Sequence, residues 1–330
     1  MPRPTIPRPR IRRGRSPVTG EAARPEPRIL ELSHGGLSWV LADQPTSEEA
    51  AILAERFGFH ELDVEDVLSN RQRPKIDEYP DYLFVVLHFP FYDKSVQRLN
   101  AAEVDLFIGP DFVITLPNVE LRPIDYLFRR CEEDPELREE LFSKGPGYLL
   151  YHILRDLFDY CFPILDKIFH KLDRLEDDIH DSRSEDIVRD ISDAKQEIIA
   201  YRKIIKPERS TLRILERQAA RFLSEDLEPY FDDLGDATER IWDQLENFKE
   251  VVEGLESTNE SFLVHRQNYR IQLLTVVSVI LLPLTLLASS FGMNVAFPGE
   301  GTHEAFWIIV GVMAGLGSVL VGVFFWRRWL

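Results

Sequence analysis

The chain has 330 residues, a formal net charge of −17 and 29% charged side chains. That length allows two or three domains, and so acidic a body repels nucleic acid and attracts cations. Cys131 and Cys161 form no disulfide framework and no zinc-site spacing, no Gly-rich phosphate loop is present, and no nucleophile–base pairing marks an enzyme.

Residues 1–28 carry eight Arg, two Glu and seven of the 21 prolines. Such a tail cannot bury a core and is expected to be disordered; its basic N-terminus has no apolar stretch behind it, so it is no secretory signal. Residues 29–143 read as an α/β domain. Ile29–Leu32 and Leu37–Leu41 flank His34-Gly35-Gly36 as a hairpin. Thr46–Phe57 has helical spacing, with Thr46 or Ser47 as N-cap and Glu49 near N3. Tyr82–Phe91 is a buried strand by composition, and Glu103–Ile108 and Phe112–Leu116 are strands around Gly109-Pro110-Asp111.

Residues 144–222 read as an antiparallel helical hairpin. Its first helix runs from Tyr148 to Asp181, and its second returns through Ile187–Ile204 and breaks near Pro207. Residues 223–270 are the cytosolic part of a long stalk helix. There Ile241, Leu245, Phe248, Val252, Leu255, Asn259 and Phe262 alternate spacings of four and three, a heptad seam whose facing is left open.

Ile271–Phe291 is a first membrane span, with no charge between Arg270 and Glu300; at 1.5 Å per residue it reaches about 31 Å, a bilayer's hydrocarbon thickness. Residues 292–304 form a loop and residues 305–326 a second span. Arg266, Arg270, Arg327 and Arg328 flank the spans while the loop has no Lys or Arg, so both termini should be cytoplasmic, with 327–330 a basic cytoplasmic end. The first span carries Thr275, Ser278, Thr285, Ser289 and Ser290. Taken singly, such hydroxyls bond back to the preceding helical turn. Asn294, at the span's outer end, instead offers an uncharged oxygen dipole to a cation.

Gly292-Met293-Asn294, preceded by Leu282-Pro283-Leu284-Thr285 and followed by a short acidic loop and a last span, resembles the CorA-type divalent cation transporters. Leu62-Asp63-Val64-Glu65-Asp66-Val67-Leu68 with Arg71-Gln72-Arg73-Pro74-Lys75 is similar to the family's cytosolic motif. Pro229-Tyr230-Phe231-Asp232-Asp233 is similar to its stalk motif. The resemblance implies an α+β/α membrane protein. Its parts would be a cytosolic α/β domain, a helical stalk and two C-terminal spans, assembled as a funnel-shaped homopentamer in the lipid of the cytoplasmic membrane.

It further implies influx of hydrated Mg²⁺, with Co²⁺ and Ni²⁺ as further cargoes, and no organic cofactor. Gly292, Met293 and Asn294 would be the selectivity filter, with Glu300 and Glu304 as acids at the outer mouth. Asn268, Ile271, Leu274, Ser278, Leu282, Thr285 and Ser289 would line the pore and gate; their spacing independently keeps them near one helical face. Asp66 of one subunit would meet Asp233 of the next across a regulatory Mg²⁺. Two alternatives stand beside this: a zinc transporter of the related branch, and a membrane-anchored helical sensor without a pore.

Overall fold

The computed structural model describes residues 28–69, 72–96, 98–181, 187–222, 227–293 and 303–327. The chain divides into two units, residues 1–169 with 196–248, and residues 170–195 with 249–330.

The first unit is built on a six-stranded mixed sheet. Its strands are β1 (Leu30–His34), β2 (Leu37–Leu41), β3 (Lys75–Glu78), β4 (Leu83–Asp93), β5 (Arg98–Ile108) and β6 (Phe112–Pro117), in spatial order β1-β2-β6-β5-β4-β3. All neighbours are antiparallel except β2 and β6. Gly35 and Gly36, at φ 61° and 91°, make the two-residue turn that joins β1 to β2. A side chain on Gly109 would place its Cβ 2.3 Å from the Phe112 ring, so any larger residue in the tight β5–β6 turn forces that ring to move.

Helices cover both faces of the sheet, the reason its central strands read as continuous apolar runs. On one face, Val40, Phe84, Val86, Phe107 and Ile114 pack beneath Leu53 of α1 (Ser47–Phe57) and Val67 of α2 (Glu61–Ser69). The α1 helix starts at a reciprocal cap: Glu49 N–H donates to Thr46 Oγ1 and Thr46 N–H donates to Glu49 Oε2. On the other face, Trp39 meets Phe128 of α3 (Arg122–Glu133) with ring centroids 5.0 Å apart. There too Phe89 meets Phe158 of α5 (Pro146–Asp159) at 5.2 Å, and α4 (Pro135–Phe142) lies between α3 and α5 in the chain.

Where one helix was expected over 148–181, the structure has α5 and α6 (Cys161–Asp181), divided at Tyr160. Pro163 explains the division, because it has no N–H for the Asp159 carbonyl and its ring crowds that oxygen. The expected break near Pro207 is absent: α7 (Ile187–Phe222) passes straight through it. An interior proline costs about 3 kcal/mol. Against that, Ile204, Ile205, Leu212 and Leu215 are buried on both sides of it, at roughly 1.5–3 kcal/mol each. Arg202 and Arg209 also pair with Glu246 and Glu239 of α8 (Glu228–Phe291) and stack over its Trp242 ring. Burial and pairing outweigh the proline. Glu208, fully buried next to it, accepts the His88 N–H on the part of β4 that extends beyond β3.

In the second unit, Leu172 and Leu175 of α6 and Ile187, Ile191 and Ala194 of α7 are buried alongside Val252 and Leu255 of α8. The heptad seam is buried at Ile241, Leu245 and Phe248 in the first unit and at Val252 and Leu255 in the second; Phe262 is exposed. The α8 helix runs to Phe291 without interruption at Pro283, and α9 (His303–Trp326) follows.

At the end of β2, burial and the neighbouring Asp125 carboxylate push Asp43 up to about 6. A carboxyl raised in the folded state contributes stability below its ordinary value of 3.8 that is lost as pH climbs towards 6. Melting temperature measured from pH 4 to pH 7 should therefore fall less in Asp43→Asn than in the parent chain; equal slopes would contradict this.

Candidate functional site

The membrane part of α8 shows two faces in the second unit. Leu273, Ile280, Pro283, Leu284 and Leu287 are half-buried and Val276 is fully buried, and a Cβ on Gly317 of α9 would lie 3.7 Å from Leu284. At about 100° per residue these residues share the side that packs on α9. Ile271, Leu274, Ser278, Leu282, Thr285 and Ser289 fall about half a turn away, and all six are exposed. The proposed lining set thus falls within the part of α8 that its own chain leaves uncovered, which also includes Val277, Val279, Leu281 and Leu286, and Asn268 is exposed below it.

The hydroxyls in this region do bond to the preceding turn: Thr275 donates to the Ile271 carbonyl at 2.8 Å, Ser278 to Leu274 at 2.8 Å and Thr285 to Leu282 at 2.9 Å. Each such oxygen keeps its acceptor lone pairs, the half of the group that a cation or its bound waters use. Beyond Phe291 the Gly292 N–H still donates to the Ala288 carbonyl, and a Cβ there would sit 3.1 Å from that oxygen. Met293 is exposed. Asn294 and Glu300 lie outside the described residues; Glu304 is exposed in the first turn of α9.

The two candidate regulatory acids have separate surroundings within one protomer. Asp66 accepts from Gln72 Nε2 at 2.7 Å and from Lys75 Nζ at 2.6 Å. Asp233 is exposed and accepts from the Tyr151 hydroxyl at 3.0 Å, and Arg155 donates to that same hydroxyl. Tyr230 of the stalk motif packs against Tyr148 and Tyr151, which fixes the start of α8 where Asp233 projects.

The sequence reading missed the acids around Asp66. Buried Asp63 accepts from the Tyr79 and Tyr82 hydroxyls at 3.0 and 2.7 Å. Burial raises Asp63 above the usual carboxylate range despite those two bonds, and Tyr79 is pushed up to about 12 by burial and by its bond to Asp63. Lys75 Nζ also reaches Asp77 Oδ2 at 2.5 Å. Burial works against the Lys75 ammonium, but its bonds to Asp66 and Asp77 outweigh that and hold its pKa above the ordinary lysine value. On β5, Glu103 and Asp105 are buried too; the visible signal was acids at alternate positions of the otherwise apolar stretch from Ala101 to Ile108.

An α/β domain, an uninterrupted helix of 64 residues and a second apolar helix define a two-span membrane protein whose first span carries uncharged hydroxyls among apolar residues. Residues 34–328 match the family described as "CorA-like Mg2+ transporter protein", and the chain belongs to that family, whose members are ion transporters and not enzymes. It is 30% identical over 302 residues to the putative metal ion transporter YfjQ of Bacillus subtilis, covering 90% of this chain and 91% of that one. It is 29% identical over 279 residues to the cobalt/magnesium transport protein CorA of Thermotoga maritima, covering 84% and 79%. The fold matches the complete CorA magnesium transporter structure from Methanocaldococcus jannaschii with TM-score 0.79 over 91% of this chain and 94% of that one, at 20% identity.

Proposed function

We propose that this chain is a homopentameric channel for Mg²⁺ influx across the cytoplasmic membrane, with both termini on the cytoplasmic side. The observation that carries this reading is the exposed stripe from Ile271 to Ser289, which lies opposite α9 and leads to Gly292-Met293 directly before Asn294. Two spans enclose no path; a closed ring of α8 helices does, and cyclic symmetry brings the same stripe from every copy to one axis.

Mg²⁺ gives up its inner waters reluctantly and keeps octahedral oxygen coordination. A ring of Asn294 carboxamides hydrogen-bonds those waters without stripping them, while Glu300 and Glu304 concentrate cations at the mouth. Thr285 and Ser278 supply acceptor oxygens deeper in. Between and below them Leu282, Leu274 and Ile271 make apolar rings that close by expelling water. In purified chain reconstituted into liposomes, Asn294→Ala should lower Mg²⁺ uptake at least about tenfold, a barrier change of about 1.4 kcal/mol, while the protein stays assembled. Uptake at the parent rate would remove Asn294 from the filter, and faster Zn²⁺ than Mg²⁺ uptake by the parent would favour the zinc branch.

Regulation in this reading works through Asp66 of one subunit and Asp233 of its neighbour. Two carboxylates held close repel, and a divalent ion relieves that repulsion, so cytosolic Mg²⁺ joins subunits and holds the pore shut. Asp233 is suited to this, because it is exposed and one hydroxyl bond aims it. Mg²⁺ should slow proteolysis of the assembled parent and do so less in Asp233→Asn; protection unaffected by Mg²⁺ in the parent would end the sensor proposal.

A further inference from the structure

The strands β2 and β6 run side by side in parallel, and the chain leaves their carboxyl ends in opposite directions. After β2 it passes to α1, whose Leu53 packs on the face of Val40 and Phe84. After β6 it passes to α3, whose Phe128 meets Trp39 on the other face. Adjacent parallel strands whose connections part in this way leave a crevice beyond their carboxyl ends, and open α/β sheets bind ligands there. The Gln44 N–H donates to the Pro117 carbonyl at 2.8 Å and ties the two strand ends together.

Two cavities open at this point, of about 330 and 860 Å³, and Gln44 and Glu120 line both. Hollows of this size hold small organic ligands. The smaller one is rich in acceptors. Asp43 and Asp125 line it, burial and the Asp125 charge raise Asp43, and the charge of Glu120 acts on both. Arg28 and Arg129, in the same wall, offset this only in part. Asp43 Oδ1 is buried with no hydrogen-bond partner among the described residues, so this end lacks a donor.

The larger cavity has its cations to spare. Lys94 of the β4–β5 turn, Arg122 at the start of α3 and Lys167 of α6 line it, and none of the three is in a salt bridge among the described residues. Of its acids, Asp93 accepts from the Ser95 N–H and hydroxyl, and Glu197 is engaged as well. The α3 helix also begins here with no side-chain cap from Leu121, so its positive dipole end is open.

We propose that this crevice binds a nucleotide, with its phosphates on Lys94, Arg122 and Lys167, its ribose at Gln44 and Glu120, and an amino edge of its base donating to Asp43. Ammonium and guanidinium groups make charge-assisted bonds to phosphate oxygens, and Arg122 can grip two at once. The base supplies the N–H that Asp43 lacks. None of these residues belongs to the transport or regulatory sets above.

The test is calorimetric titration of the full purified chain with ATP, in chelator without Mg²⁺, so that no heat comes from ion exchange at Asp66 or Asp233. ATP should bind saturably, and inorganic triphosphate at least about tenfold more weakly. Lys94→Ala with Lys167→Ala, both exposed, should weaken each ligand at least about tenfold at unchanged melting temperature. Asp43→Asn should weaken ATP by about tenfold and leave triphosphate as it was. No saturable ATP binding, or ATP affinity indifferent to the double lysine variant, would overturn the site. Triphosphate binding as tightly as ATP, or ATP affinity unmoved by Asp43→Asn, would overturn its assignment to a nucleotide.

Discussion

One helix has to pass from water into hydrocarbon without breaking. Inside a bilayer no solvent satisfies an open backbone group, so α8 must carry its ladder of hydrogen bonds from Glu228 to Phe291. Everything else adapts to that requirement. Pro283 is accommodated mid-span, Thr285 donates back to Leu282 one turn away, and the glycine at 292 lets the last N–H reach Ala288 where a side chain would crowd the carbonyl. A helix kept whole over this length presents its residues in fixed rotational order. The α9-packed side and the uncovered stripe are therefore set by sequence spacing alone.

At the soluble end the same helix is gripped by charge and ring contacts. Glu239 and Glu246 pair with Arg209 and Arg202 of α7 across Trp242, and Tyr230 packs on Tyr148 and Tyr151. The tyrosine contacts sit beside Asp233. In the proposed regulation, an ion held at Asp233 would act on the first turns of this helix.

Much of the fold was legible because its signals are local. The uncharged run after Arg270, the Thr46–Glu49 cap and the Gly-bounded strands each follow from neighbours in sequence. What escaped depended on distant partners. Pro207 reads as a breaker until the buried residues on both sides of it are weighed, and Pro163 reads as harmless until it divides α5 from α6. The parallel pairing of β2 with β6 and the short β3 have no local mark. For the site, residues of the Gly292 and Asp66 motifs were found through family resemblance, whereas Lys75 as counter-ion to Asp66 and Asp77 required the register of β3 against β4.

The most direct test of the central claim asks which side of α8 touches water in the assembled membrane protein. Cys131 and Cys161 are both buried, so background labelling is low. Single cysteines at Leu274, Ser278, Leu282 and Thr285 should react with a small charged thiol reagent and be protected by Mg²⁺, while cysteines at Leu273, Val276 and Ile280 should stay unlabelled. Labelling of the second set and not the first, or equal silence from both, would contradict a water-filled path along this stripe.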